Sequence, residues 1–291
     1  MKIWTTRDVL AFAAEDFKKR GLESPRLEAE ILLCHVLACP RLHLYTEFDR
    51  PLVEGELNTY RNAITRRRNG EPAAYIIGKK EFWSLEFEVN PSVLIPRPET
   101  EILVEHALER LRGGHRALDL CTGSGCIAIA LAVEKPELQV DAVDISEAAC
   151  QVAERNASAH KVSERFQVLR GDLFSALPPE KRYDLITANP PYVAEAEMAG
   201  LSREVQNEPR LALAAGAEGL DIIRRIVAEA PSYLNPGGSL LMEIDPRQTE
   251  EVVQKIGKPA FGEVENCDII KDLAGKERVL AWQMPDDLAP R

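Results

Sequence analysis

Apolar positions along the first seventy residues recur at intervals of three and four, the period of one face of an α-helix. Val9, Leu10, Phe12, Ala13 and Phe17 share one side of a segment that starts at a Thr5 or Thr6 cap and ends at Gly21, where glycine leaves a helix at little steric cost. Ser24-Pro25 opens a second helix with a capping hydroxyl and a proline at the first position, followed by Leu27, Ile31, Leu32 and Cys34. A third runs from about Val53 to Asn69 and is stopped by Gly70. Its tail, Arg66-Arg67-Arg68, suits either the negative end of the helix dipole or an acidic partner.

The period then changes. Lys80–Val89 mixes alternation with aromatic residues and predicts a short hairpin at a domain boundary. Beyond it, short apolar runs at Ala117–Leu120, Val140–Val143, Phe166–Leu169, Tyr183–Ala188 and Ser239–Ile244 alternate with helical patterns at Ile127–Val133, Ala148–Ala159 and Leu220–Leu234. Such alternation predicts an α/β fold, a mostly parallel sheet with helices on both faces. Glu263–Ile270 and Arg278–Gln283, joined through Ala274-Gly275, read as a closing hairpin. The expected organisation is a helical domain over residues 1–78, a hairpin linker over 79–91 and an α/β domain over 92–291.

Composition narrows the classes. A chain of 291 residues, 45% hydrophobic and 29% charged, can bury the cores of about two domains. No run approaches the roughly 18 apolar residues of a membrane span. The opening Met1-Lys2-Ile3-Trp4 lacks the apolar core of a signal peptide, so a cytoplasmic protein without membrane contact is expected. Six cysteines without a C-x-x-C pair read as reduced core residues, and five scattered histidines imply no metal. The net charge of −11 counts against a protein that grips a phosphate backbone, so no direct nucleic-acid partner is expected. That charge is unevenly spread: residues 1–80 hold 14 bases and 11 acids, a balance of +3, which leaves −14 for the remainder.

Candidate chemistry begins where the first strand of the α/β half runs into Asp119-Leu120-Cys121-Thr122-Gly123-Ser124-Gly125-Cys126. Glycines at a strand-to-helix turn let the backbone approach a ligand, and Cys121, Thr122, Gly123, Ser124 and Gly125 are the candidate cofactor loop. Asp144, ending the next strand, is placed to accept from ribose hydroxyls, and Gly123-x-Gly125-x-x-Ala128 suits a nicotinamide cofactor or S-adenosylmethionine alike. After the third strand, Asp172 is a candidate acceptor for an adenine amino group and Leu173 a surface for the ring.

The fourth strand runs into Asn189-Pro190-Pro191-Tyr192. Two prolines fix their own φ angles and hold the preceding residues extended, which stiffens the loop. The Asn189 side chain and the Pro190 carbonyl offer two acceptors, and Tyr192 a flat surface. That arrangement suits a planar nitrogen carrying two hydrogens, as on adenine, cytosine or the glutamine side chain. Fixing both hydrogens would aim the lone pair at the methyl of a sulfonium, so catalysis would rest on alignment by Asn189, Pro190 and Tyr192.

With these residues the chain resembles the N5-glutamine methyltransferases, and within them the peptide chain release factor family, over nearly its full length. The resemblance rests on Asn189-Pro190-Pro191-Tyr192, on Gly70-Glu71-Pro72 with Tyr75-Ile76-x-Gly78, and on Leu94-Ile95-Pro96-Arg97-Pro98-Glu99-Thr100-Glu101. Glu208-Pro209-Arg210-x-Ala212-Leu213 and Asp272-Leu273-Ala274-Gly275-x-x-Arg278 extend it. It implies a class I, Rossmann-like methyltransferase domain behind a helical substrate-docking domain, S-adenosylmethionine as cofactor, and the Gly-Gly-Gln glutamine of bacterial class I release factors as substrate. It also implies supporting roles for Arg97 and Glu99, and a monomer is expected. Two positions depart from the family pattern: Cys121 where glycine is common, and Asp245 where Glu-Ile-Gly is frequent. A sister activity on a large-subunit ribosomal protein shares the motifs. An adenine methyltransferase is disfavoured by the acidic catalytic half, and a binding module or NAD-dependent oxidoreductase by the Pro-Pro loop.

Overall fold

The computed structural model describes residues 3–111, 116–261 and 267–286. It divides into two compact units: residues up to Lys79 with Ser202–Asn207, and Lys80–Leu201 with residues 208 onward.

The first unit is helical: α1 (Thr6–Lys19), α2 (Pro25–Leu37), α3 (Arg41–Thr46), α4 (Glu54–Arg68) and α5 (Ala73–Ile77). Thr5 caps α1 through a reciprocal box with Asp8. Ser24 occupies the cap position of α2, but its hydroxyl makes no capping bond, contrary to the expectation from the sequence. Leu10, Phe17, Leu32, Leu33 and Tyr60 fill the core, with the Tyr60 hydroxyl donating to the Ala29 carbonyl at 2.9 Å. The arginine tail of α4 is spoken for: Arg66 pairs with Glu71, Arg67 with Glu28 and Glu204, and Arg68 with Asp16. Neither a bare dipole contact nor a free basic patch describes it.

In the second unit a hairpin, β1 (Lys79–Phe82) and β2 (Leu85–Glu88), precedes α6 (Glu101–Arg110), which a single 3₁₀ turn over Pro98–Thr100 introduces. Then follow β3 (Arg116–Leu120), α7 (Cys126–Glu134), β4 (Gln139–Asp144), α8 (Glu147–Ala159), β5 (Phe166–Arg170), β6 (Tyr183–Ala188), α9 (Asp221–Glu229), β7 (Leu234–Glu243), β8 (Cys267–Lys271) and β9 (Glu277–Gln283). The strands form one seven-stranded sheet in the order β5-β4-β3-β6-β7-β9-β8. β3 to β7 are parallel, and β9 runs antiparallel to both β7 and β8. The closing hairpin expected near the end is therefore the antiparallel edge of the main sheet, and residues 263–266 of its first arm lie outside the described residues. Its central strands are buried on both faces, so they read as near-continuous apolar runs. α7 is apolar all round and wholly enclosed up to Ala132, which ties the glycine loop to the middle of the core.

Candidate active site

Most of the residues singled out above gather at the carboxyl ends of β3, β4, β5 and β6, where an open parallel sheet leaves a crevice beside its topological switch point. A cavity there is lined by the loop after β3, by Asp144 with Ile145, by Asp172 with Leu173, and by Asn189 with Pro191. Ser92–Arg97 and Pro209–Ala214 supply further wall. The second group was missed as cavity lining by the sequence reading, because its contribution depends on contacts across more than a hundred residues.

The β3 loop is braced from beneath. Asp119, fully buried, accepts from the hydroxyls of Thr122 at 2.6 Å and Thr187 at 2.7 Å, so the loop is tied to β6. Burial pushes the Asp119 carboxyl up to about 7, against the pull of those two donors. Cys121 has φ +57° and Leu173 φ +52°, the left-handed region that L-residues enter at a cost. Two strained residues at the lip of one cavity are characteristic of a site that holds a ligand. Gly123, at φ +56°, lines the cavity and leaves open space where a Cβ would stand. Gly125 plays another part: it does not line the cavity, and a Cβ there would press on Ile129 and Ala153, so it packs α7 against α8.

Asp144 accepts from the Gly123 N–H and the Ser146 N–H, both at 2.9 Å, so the ribose candidate also holds the loop it faces. Burial raises its pKa, opposed by those backbone donors. Asp172 pairs with Arg225 at 3.0 Å, which fixes the carboxylate beside the cavity. Asn189 donates its amide to the Thr100 hydroxyl at 3.3 Å, and Thr100 donates to the buried Glu243 at 2.7 Å. Pro190 is buried and Tyr192 half-buried; neither lines the cavity itself. The Tyr192 ring packs on the core while its carbonyl accepts from Gln248 Nε2 at 3.2 Å. Arg97 lines the wall and pairs with the buried Glu208, whereas Glu99 is exposed outside the cavity.

The residues present fit S-adenosylmethionine. The Ser124 hydroxyl is buried in the cavity wall without a hydrogen-bond partner of ordinary geometry, with only the weakly bonding Cys126 thiol beside it. Open backbone at Gly123 and the carboxylates of Asp144 and Asp172 complete a donor and acceptor set for an amino acid moiety, a ribose and an adenine amino group.

Sheet order, glycine loop and strand-end acids together define a Rossmann-like methyltransferase of the S-adenosylmethionine-dependent class. The methyltransferase small domain family matches residues 98–269, and the PrmC N-terminal domain family matches residues 8–78. A release factor glutamine methyltransferase of Rhodopirellula baltica is 41% identical over 287 residues, covering 96% of either chain. That of Geobacter sulfurreducens is 43% identical over 284 residues, covering 97% of this chain and 98% of its own. The chain belongs to the release factor glutamine methyltransferase family. Among solved structures, a methyltransferase from Pyrococcus furiosus shares the fold with a TM-score of 0.51 at 21% identity, covering 77% of this chain and 98% of that one. The 16S rRNA N2 G1207 methyltransferase of T. thermophilus, solved with AdoMet and guanosine, does so with a TM-score of 0.52 at 22% identity, covering 71% and 49%.

Proposed function

We propose that this protein methylates the side-chain amide nitrogen of the glutamine in the Gly-Gly-Gln loop of bacterial class I release factors. S-adenosylmethionine supplies the methyl as an electrophilic sulfonium. Cys121, Thr122, Gly123 and Ser124 would hold its polar end, Asp144 its ribose, and Asp172 with Leu173 its adenine.

The observation that carries the reading is the state of Asn189. Its NH₂ group donates to Thr100 and the residue lines the cavity, which leaves the carbonyl oxygen as the acceptor it can offer a substrate. A glutamine amide carries two hydrogens and a delocalised lone pair. Accepting one hydrogen on the Asn189 oxygen holds the amide plane and frees the nitrogen face for attack, and the second hydrogen is assigned to the carbonyl of Pro190, which is buried between the cavity-lining Asn189 and Pro191. Pro190 and Pro191 keep the acceptors in place, and Tyr192 supports the loop from the core side. As the new N–C bond forms, the methyl–sulfur bond breaks with its electron pair returning to sulfur, and S-adenosylhomocysteine is the leaving group. The cationic N-methyl amide gives up one N–H proton to water, so no side chain has to be a strong base.

Residues 1–78 are read as the docking part, since a Gly-Gly-Gln loop is too small to be told from other glutamines by the cavity alone. The protein is taken to act as a cytoplasmic monomer without nucleic-acid contact; among the described residues no helix is long and apolar enough to cross a membrane. The test is incubation with labelled S-adenosylmethionine, purified release factor and ribosomes, followed by peptide mass spectrometry. One methyl on the Gly-Gly-Gln glutamine is expected. Label on a ribosomal protein or on RNA, with release factor unlabelled, would overturn the assignment.

A further inference from the structure

Glu243 ends β7 beside the reacting loop: the pairing of Ala188 with Met242 puts the next residues of the two strands, Asn189 and Glu243, at neighbouring strand tips. Its side chain is 2% exposed, and a carboxylate without good partners is costly to bury. Among the described residues its hydrogen bond is to Thr100, itself 2% exposed at the start of α6. A hydrophobic residue at either place would fill the same space at lower cost, so packing does not account for the pair.

We propose that Glu243 and Thr100 are positioning residues that set which face of the Asn189 amide meets the substrate. Proton direction sets that orientation. A threonine hydroxyl has a single proton, and an ionised Glu243 can only accept it. With that proton committed, the Thr100 oxygen can only accept from Asn189, so the Asn189 NH₂ must turn toward Thr100 and the carbonyl oxygen toward the cavity. Were the relay broken, the amide could rotate and present NH₂ groups to a substrate that itself carries only N–H donors there. Three elements far apart in sequence thus fix one rotamer: the start of α6, the loop after β6 and the end of β7. The assignment rests on the glutamine amide reading above, and one arm of its test does not need that reading.

Thr100→Val, Thr100→Ser and Glu243→Gln are compared in the full chain, each checked for folding by circular dichroism. Single-turnover methyl transfer to release factor at saturating donor is expected to fall about 100-fold in Thr100→Val and at least about tenfold in Glu243→Gln, with donor Kd changed less than about threefold, and Thr100→Ser is expected to recover most of the loss. A residue needed only for stability would not separate rate from donor affinity in this way. The independent arm is ¹⁵N NMR of the Asn189 side-chain amide, assigned by its loss in Asn189→Asp. Its signals should shift in Thr100→Val and Glu243→Gln and return in Thr100→Ser, whether or not release factor is the substrate. Should Thr100→Val fail to fold, Glu243→Gln decides. A folded variant lacking the relay with a wild-type rate, or with unmoved Asn189 signals, overturns the proposal. Absence of methylation by the wild-type protein, with the signals shifting as described, overturns the substrate instead.

Discussion

At the residue scale, Cys121 shows how a departure from the family pattern is tolerated. Its φ of +57° is glycine territory, and an L-residue there costs about 1–2 kcal/mol. Cys121→Gly should therefore stabilise the protein by about 1 kcal/mol in urea unfolding, with the loop conformation kept. Burial and the nearby acids, Asp144 foremost, raise the Cys121 thiol well above its ordinary pKa, so it stays protonated at neutral pH. Asp144→Ala should weaken donor binding by about 1–3 kcal/mol in calorimetric titration, since it removes an acceptor and also frees the Gly123 and Ser146 N–H groups. Unchanged affinity would remove Asp144 from the site. Glu243 is pushed up to about 7 by burial; Thr100, Arg278 and Arg97 pull it down and Glu99 pushes it further up, while Tyr192 beside it is neutral until about 12. Methyl transfer should accordingly rise with pH through about 7 as Glu243 becomes able to accept the Thr100 proton. Stability moves the other way. A carboxyl whose folded pKa is raised contributes stability at low pH that is lost as pH climbs from 4.5 to about 7, and Asp119, shifted alike, adds to that loss. Rate profiles decide the point, because Glu243→Gln should erase the inflection while the Asp119 contribution to stability persists.

At the scale of elements, the cavity wall depends on one buried carboxylate. Glu208 accepts from the Ile95 N–H at 3.0 Å and pairs with Arg97, so it staples the extended stretch before α6 to the segment that starts at Pro209. Both stretches line the cavity. Glu208→Ala leaves the buried Ile95 N–H unpaired and should cost about 1–3 kcal/mol in urea unfolding, with weaker donor binding as the wall loosens. An unaltered urea midpoint together with unaltered affinity would show that the wall holds itself. Long helices and central strands were legible because periodicity needs length: α1, α4, α8 and the strands from β3 to β6 fall within a few residues of their expected places. α3 and α5 were not, being six and five residues long, too short for a 3.6-residue period to declare itself. The start of β7 was also missed. Asn235-Pro236-Gly237-Gly238 reads as a turn, yet the strand begins at Leu234 and absorbs those residues through a register shift against β6.

At the scale of the whole molecule, the match to the N-terminal domain family ends at residue 78, while the compact units of the chain are not divided at a single point. Ser202–Asn207 belongs with the helical unit, where Glu204 pairs with Arg67 and Asn207 donates to the Gly70 carbonyl at 3.2 Å. A chain starting at Lys79 would strip that segment of its partners while leaving every cavity residue in place. Such a truncated form, verified by circular dichroism, should bind S-adenosylmethionine with near-normal affinity yet methylate intact release factor poorly. Full activity would dismiss docking by residues 1–78. The uneven charge, +3 over residues 1–80 and −14 over the remainder, would steer encounter more than it adds affinity, so the deficit of the truncated form should grow at low ionic strength.

What the sequence determined alone is whatever rests on local stereochemistry: the three longer helices of the first unit, the alternation of strand and helix in the second, the glycine turn after β3 and the proline-stiffened Asn189 loop. Those features are set by neighbours in the chain, and Asn189-Pro190-Pro191-Tyr192 narrows the chemistry to a planar amino group before any fold is known. Only the tertiary structure decided which way that asparagine faces. Thr100 and Glu243 lie 89 and 54 residues from it along the chain in opposite directions, and their carboxylate, hydroxyl and amide meet solely because β6 and β7 pair in parallel with α6 packed at their tips. Hydrogen-bond direction is a property of that meeting, since a hydroxyl proton committed to one partner is withheld from the other, and no pattern along a single chain encodes it.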